Sequence, residues 1–271
     1  MSGTWMKELQ KRVPADHMHF MARCALSHGC KAIAWFMFHD RDQWGDAPVS
    51  SHGHRRENWH VLHETVDLCF GRIRSWDDLV EQQDVGIAYD LLAARHAHLG
   101  DPMPCNDNKL DIGPPTIDGV EAGKSSAEYE GLFRLVAQNG ANAGVIDVIH
   151  DARRLKKFKL VFLPGSAVIE REASDALAEY VRGGGTLVVT GAWPARDEHG
   201  QPLDFLGRQK PKNVKTQTSR KVGKGRLIWH PQFIAQDEPE QETPAAVEYV
   251  GELLADAGIT PYVSARPVEL P

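Results

Sequence analysis

The residues best suited to chemistry follow an apolar run near the start of the chain. A cluster of charged and aromatic residues stands directly after Phe38: His39, Asp40, Arg41, Asp42 and Trp44. Carboxylates can transfer protons, a guanidinium binds oxygen-bearing groups through paired hydrogen bonds, and an indole ring covers an apolar face. This combination is typical of a site for a sugar, which has hydroxyls at its rim and C–H groups on its faces.

The apolar run 31–38 predicts a strand that positions this cluster. A strand covered on both faces is apolar throughout, and parallel α/β folds carry their functional loops beyond the C-terminal ends of such strands. One helix is predicted to begin at Pro14 and Asp16 and to end at Gly29, and another to run from about 57 to 74. We assign residues 1–78 to this first segment.

From Val85 onward, short apolar strands alternate with helices. Strands are predicted at 85–90, 145–149, 159–164, 186–191, 225–230 and near Tyr262. A capping box of Ser125 and Glu128 predicts a helix beginning there, and further helices are predicted around 173–181 and 244–257. Strands separated by helices of this kind predict a parallel, doubly wound, flavodoxin-like α/β sheet over residues 79–271.

Composition narrows the function classes. A formal net charge of −6 gives no general attraction to nucleic acid or to anionic lipid, and no apolar run is long enough to span a membrane. The cysteines form no CxxC pair and the N-terminus has no signal-peptide pattern, so a cytoplasmic setting is predicted. The basic run between Arg208 and Arg226 lacks interleaved aromatic residues, which favours a solvated loop over a nucleic-acid site.

The metal-site alternative rests on two histidines. His60 and His63 fall on one face of the predicted helix, at a spacing that can chelate a metal. No HExxH pattern or cysteine cluster accompanies them. We therefore expect no metal and no other cofactor.

Four segments carry a family resemblance through their order along the chain. They are Glu8-Leu9-Gln10, the helix and apolar run of 25–38, the loop 40–48 with 53–56, and residues 159–191 with their Leu-Pro, Gly-Gly-Gly-Thr and Val-Thr-Gly elements. Together they resemble the C-terminal part of β-galactosidases of glycoside hydrolase families 42 and 35. The first three are similar to the end of a TIM barrel, and the fourth to a class I glutamine amidotransferase-like domain.

The resemblance implies a partial TIM-barrel βα segment followed by an amidotransferase-like sheet. It also implies hydrolysis of β-galactosides or related oligosaccharides and assembly into homo-oligomers, trimers included. Glu8 would be the nucleophile, and a loop carboxylate, Asp40 or Asp42, the acid/base. The implied substrate contacts are Trp35, His39, Arg41, Trp44 and His54.

Two departures from the family pattern leave alternatives open. The first six barrel strands have no counterpart, although retaining hydrolysis usually needs two carboxylates about 5 Å apart. No cysteine follows strand 186–191, so amidotransferase chemistry is expected to be lost. A non-catalytic assembly or sugar-binding module is one alternative, and a hydrolase acting through Ser166, which lacks a G-x-S-x-G frame, is another.

A fragment of a barrel also has a packing problem. Two βα units cannot close a barrel, and strand 31–38 would leave an edge and apolar faces in water. We therefore predict self-association that buries Trp35, Phe36, Phe38 and the apolar face of the 57–74 helix.

Overall fold

The computed structural model describes residues 4–5, 14–35, 37–41, 44–73, 75, 78–92, 116–117, 120–207, 216–235 and 243–262. The chain divides into two compact units, Met1–Gln82 and Gln83–Pro271. None of the helices in these ranges is long and apolar enough to cross a bilayer.

The first unit is built on two helices. Helix α1 spans Ala15–Ser27, and α2 spans Asn58–Val66 and continues as a π-helix over Asp67–Arg72. Both predicted helices are confirmed. A small core joins them, because Met18 of α1 packs with Val61 and Leu62 of α2. A two-residue strand β1 (Thr4–Trp5) pairs antiparallel with β2 (Trp44–Gly45).

The predicted strand 31–38 is wrong. Residues 31–35 and 37–38 pair with no other strand in the described part of this unit. Met37 has a φ of 70°, a left-handed conformation that interrupts extended backbone. Its side chain is buried, whereas Phe38 is 51% exposed. At the end of this run the Phe38 carbonyl accepts a hydrogen bond from the Val49 N–H at 3.1 Å, which is a loop contact beside the left-handed Met37 and belongs to no strand ladder.

The second unit contains a six-stranded sheet with the order β6-β3-β7-β8-β10-β9. The strands are β3 (Val85–Tyr89), β6 (Ala143–Asp147), β7 (Leu160–Gly165), β8 (Thr186–Gly191), β9 (Thr218–Val222) and β10 (Gly225–His230). All neighbours pair in parallel except β9, which is antiparallel to β10. A two-stranded ladder of β4 (Thr116–Ile117) and β5 (Val120–Glu121) lies apart from this sheet.

Helices cover both faces of the sheet. Successive side chains of β7 point to opposite faces, so Val161 and Leu163 belong to one core while Leu160 and Phe162 belong to another. Helix α4 (Arg171–Gly183) packs in the first core, and α3 (Ala122–Gln138) and α5 (Pro244–Asp256) pack in the second. The predicted doubly wound α/β class is confirmed.

Three local predictions fail in this unit. Helix α3 begins at Ala122, so Ser125 and Glu128 lie inside it and not at its first turn and cap as predicted. Tyr262 is in a bend, and its N–H donates to the carbonyl of Gly140 at 2.7 Å. Strand β9 was not predicted, because its polar sequence lies at the sheet edge with alternate residues exposed.

Candidate functional site

The loop between Phe38 and Arg56 in the first unit is fixed by one ion pair. Arg56 Nη1 donates to Asp40 Oδ1 at 2.8 Å, and its Nη2 donates to the other carboxylate oxygen. The Ala47 N–H also donates to Asp40 Oδ1 at 2.8 Å, while Arg56 Nη1 donates to the Ala47 carbonyl at 2.8 Å. These contacts tie the beginning, middle and end of the loop together.

The same contacts decide what Asp40 can do chemically. The hydrogen bonds from Arg56 lower the pKa of the Asp40 carboxyl, and the Ala47 N–H acts in the same direction against the opposing effect of burial. A general acid at neutral pH needs a raised pKa instead. The geometry therefore gives Asp40 the role of a loop anchor and opposes its predicted role as proton donor.

Backbone hydrogen bonds complete the frame of the loop. Asp40 N–H donates to the Val49 carbonyl at 2.9 Å, and Arg56 N–H donates to the Pro48 carbonyl at 2.8 Å. Val49 makes bridges to His39 on one side and to Arg55 on the other. The segments that carry His39 and His54 thus flank a common residue.

An aromatic platform stands at the end of this loop. The guanidinium carbon of Arg55 lies 4.5 Å from the centroid of the Trp59 ring, and Phe38 meets the same indole edge-to-face at 5.5 Å. Trp59 is half-buried and Phe38 is exposed. Sequence reasoning did not select Arg55 or Trp59 as site residues; their four-residue separation was the available signal.

The predicted site residues have different surroundings. His39, Arg41 and His54 are exposed. Trp35 is half-buried and packs against the Met18–Val61–Leu62 core of the first unit. Glu8 and Asp42 lie outside the described residues, and Trp44 is described only through its backbone in β2. No three metal-ligating side chains converge within the described ranges.

The second unit has no nucleophile where an amidotransferase cysteine would stand. Gly191 ends β8 with a φ of 73°, and a Cβ built there would lie 2.3 Å from the ring of Phe233. Trp229 Nε1 also donates to the Gly191 carbonyl at 2.9 Å. Ser166, after β7, accepts a hydrogen bond from the Val168 N–H at 3.3 Å. The rings of Phe233 and Trp229 therefore cover the C-terminal end of β8. An amidotransferase nucleophile would need an exposed turn at that position.

Glu128 is the most deeply buried carboxylate described, with no exposed surface. Its oxygens accept from the Ile234 N–H at 3.1 and 3.0 Å and from the Ala235 N–H at 2.7 Å. Burial raises the pKa of Glu128, and the Thr190 side chain and the two backbone donors partly offset this. The residue clamps α3 to the segment after β10.

Comparison with known proteins finds the same fold in solved structures of low sequence identity. Residues 116–226 match the family model described as "GLMA-like, second domain". A catalytic mutant of Gan42B, a family 42 β-galactosidase from G. stearothermophilus, covers 93% of the chain with a TM-score of 0.64 at 16% identity. The β-galactosidase from Bacillus circulans sp. alkalophilus covers 94% with a TM-score of 0.67 at 14% identity.

These similarities concern the fold and only part of each relative. The chain spans 42% and 43% of the two β-galactosidases. An exo-β-1,4-mannosidase from Opitutaceae bacterium strain TAV5 also matches, with a TM-score of 0.52 at 13% identity and 49% of its length covered. A comparison with curated protein sequences found no match. The predicted resemblance to the C-terminal part of family 42 β-galactosidases is confirmed at the level of the fold.

Proposed function

We propose that this chain acts on β-galactosides or related oligosaccharides as a glycoside hydrolase of the family 42 type. The observation that carries the proposal is the fold shared with family 42 β-galactosidases across 93% and 94% of the chain. That extent includes both the loop-bearing first unit and the sheet of the second. The assignment of 1–78 to a barrel-derived segment and 79–271 to an amidotransferase-like domain is part of this proposal, as is a cytoplasmic setting.

In this proposal Glu8 is the nucleophile that attacks the anomeric carbon. Support comes from the pairing of β1 with β2, which sets Trp5 opposite Trp44. Strand β1 ends three residues before Glu8 in the sequence. Asp42 is the proposed acid/base, since Asp40 is committed to Arg56. Protonation of the leaving oxygen by Asp42 would complete the two-carboxylate mechanism.

The aromatic platform is the proposed sugar-binding surface. The exposed Phe38 ring offers an aromatic surface to the C–H side of a pyranose ring, and the half-buried Trp59, which meets it edge-to-face, positions it. Arg55, held over Trp59, places hydrogen-bond donors at the rim for sugar hydroxyls. Arg41, His39 and His54 are exposed on the same loop and are the further proposed contacts.

The test compares Glu8→Gln with Glu57→Gln in hydrolysis of a nitrophenyl β-galactoside. Loss of a nucleophile removes on the order of 10³-fold or more of the turnover, whereas Glu57 is exposed just before α2 and its substitution should leave turnover unchanged. Galactose binding should survive in both variants. Equal turnover of Glu8→Gln and the parent chain rejects the nucleophile assignment.

A second candidate is a non-catalytic assembly or sugar-binding module. Two observations favour it: Asp40 is locked by Arg56, and Phe233 fills the space beside Gly191. Purified chain that binds galactose but hydrolyses no chromogenic β-glycoside would select this candidate. Loss of that binding in Trp59→Ala would place the sugar on the platform.

Self-association is also proposed. Several large apolar side chains of the first unit outside the platform are exposed, among them Phe20, Met21, Val66 and Val80. Burying such side chains against another copy removes apolar surface from water. Sedimentation at micromolar concentration should therefore report an oligomer, and a monodisperse monomer would contradict this.

A further inference from the structure

A cavity of about 890 Å³ lies in the second unit at the N-terminal ends of the parallel strands β7 and β8. Its wall includes Lys159, which precedes β7, and Thr186, the first residue of β8. Gly183 ends α4, and Gly184 and Gly185 connect that helix to β8 along the side of the cavity. Gly191 lies at the opposite, C-terminal end of β8. This cavity is therefore separate from the position where an amidotransferase would carry its nucleophile.

The lining of the cavity is cationic. Lys156, Lys159 and Arg182 line it directly. Lys224 adjoins the glycine run, since a Cβ on Gly184 would lie 3.9 Å from the Cβ of Lys224. Arg153 lines a smaller adjoining cavity of about 100 Å³ that shares Lys156 with the larger one. This density of positive charge contrasts with the net charge of −6 of the whole chain.

The two acidic residues of the lining are already neutralised. Glu179 pairs with Lys156 at 2.9 Å, and Asp256 pairs with Arg226 at 3.0 Å. Lys159 Nζ donates to the Gly258 carbonyl at 3.1 Å, which is a neutral partner. The guanidinium of Arg182 has no hydrogen bond or ion pair within the described ranges, although its backbone carbonyl accepts from the Lys224 N–H at 3.1 Å. Two cations therefore line the cavity without a counter-charge.

The shape of the site suits a small ligand. The floor is rigid, because Tyr180 is buried and its hydroxyl donates to the Phe158 carbonyl at 3.1 Å and contacts the Thr186 carbonyl at 3.2 Å. The wall is open at Gly183, where an added Cβ would meet nothing within 4 Å. A concave surface of one charge sign focuses the electrostatic field and raises the local concentration of opposite charge.

We propose that this cavity binds a compact anion with two or more phosphate or sulfate groups, with Arg182 and Lys159 as its main contacts. Guanidinium and ammonium groups form charge-assisted hydrogen bonds with such oxyanions. The volume falls in the range of small-molecule sites, roughly 300–1,000 Å³. An extended nucleic acid would need stacking platforms, and the aromatic rings of this lining, Phe158 and Tyr180, are buried in its floor.

The test is calorimetric titration at low ionic strength with inorganic tripolyphosphate, a sulfated disaccharide, a neutral disaccharide and a short single-stranded oligonucleotide. Tripolyphosphate or the sulfated disaccharide should bind, the neutral sugar should not, and rising salt should weaken binding. The stronger of the two anions identifies the phosphorylated or the sulfated class.

Variants connect the binding to the cavity. Arg182→Gln removes a cation that has no protein partner in the described ranges, so it should preserve the fold and weaken anion binding about tenfold. Arg72→Gln, at an exposed cation of the first unit, is the charge-matched control and should bind normally. Absence of binding by both anions, equal loss in both variants, or tighter binding of the oligonucleotide would overturn the proposal. These outcomes concern only the cavity of the second unit. The proposed galactoside hydrolysis is tested separately, by Glu8→Gln.

Discussion

Replacing Arg56 with methionine should release the loop that carries the candidate site. The change keeps the apolar stem of the side chain but leaves the Asp40 carboxylate without its guanidinium. Only 14% of the Asp40 side chain and 35% of the Arg56 side chain are exposed. Breaking a fully buried pair costs about 3–5 kcal/mol and an exposed pair contributes about 0–1. Because Arg56 is partly exposed, we expect an intermediate value: the variant should lose about 2 kcal/mol of its free energy of unfolding.

Hydrogen exchange at the Ala47 N–H gives a local measurement, since this group donates to Asp40 Oδ1. A loss of about 2 kcal/mol raises the opening equilibrium roughly 30-fold. The matched control is Arg72→Met, which breaks an ion pair whose side chains are 72% and 41% exposed. That variant should lose less than about 0.5 kcal/mol.

The pH dependence of the same variant has a defined sign. Arg56 lowers the pKa of folded Asp40, so the stabilisation is complete above the unfolded pKa of about 4 and is lost as the pH falls through the folded pKa. The cost of Arg56→Met should be full at pH 7 and should shrink below about pH 4. Equal costs for the Arg56 and Arg72 variants at pH 7 would refute the anchoring role of the pair.

Further perturbations test the second unit and the platform. Gly191→Ala should cost about 2 kcal/mol or more in urea unfolding, because the new Cβ meets Phe233; Gly200→Ala, with a φ of 72° and open space, should cost only about 1. Glu128→Ala should cost about 2–4 kcal/mol by leaving two buried N–H groups unpaired, and Glu128→Gln less than half as much, measured in the same way. Trp59→Ala should abolish galactose binding with little change in the far-ultraviolet circular dichroism of the chain.

The sheet of the second unit could be predicted from the sequence because its strands are buried on both faces. β7 is buried along its full length and β8 along all but its first residue, and both were recognised as apolar runs. Strand β9 was not predicted, because only β10 pairs with it and its residues alternate between partly buried and exposed. The periodicity of apolar residues in a sequence indicates which strands are buried. An edge strand depends instead on pairing with its neighbouring strand, which the local sequence does not reveal.

The candidate site was harder to predict, because long-range pairing decides its chemistry. Asp40 has the sequence context of a reactive loop carboxylate, but Arg56, sixteen residues away, binds both of its oxygens. Glu128 fits a capping box by spacing, yet its partner is the backbone at Ile234, more than a hundred residues later. The left-handed backbone of Met37, with a φ of 70°, likewise has no signal in the apolar run that contains it.

The contact between Gly191 and Phe233 also limits how this chain can evolve. A cysteine arising at position 191 would collide with an aromatic ring and would have to adopt a backbone conformation that residues with side chains disfavour. Recovering a thiol nucleophile therefore requires at least two coordinated substitutions, of which the first alone is harmful. The space beside Gly191 therefore opposes the appearance of a thiol nucleophile at the end of β8.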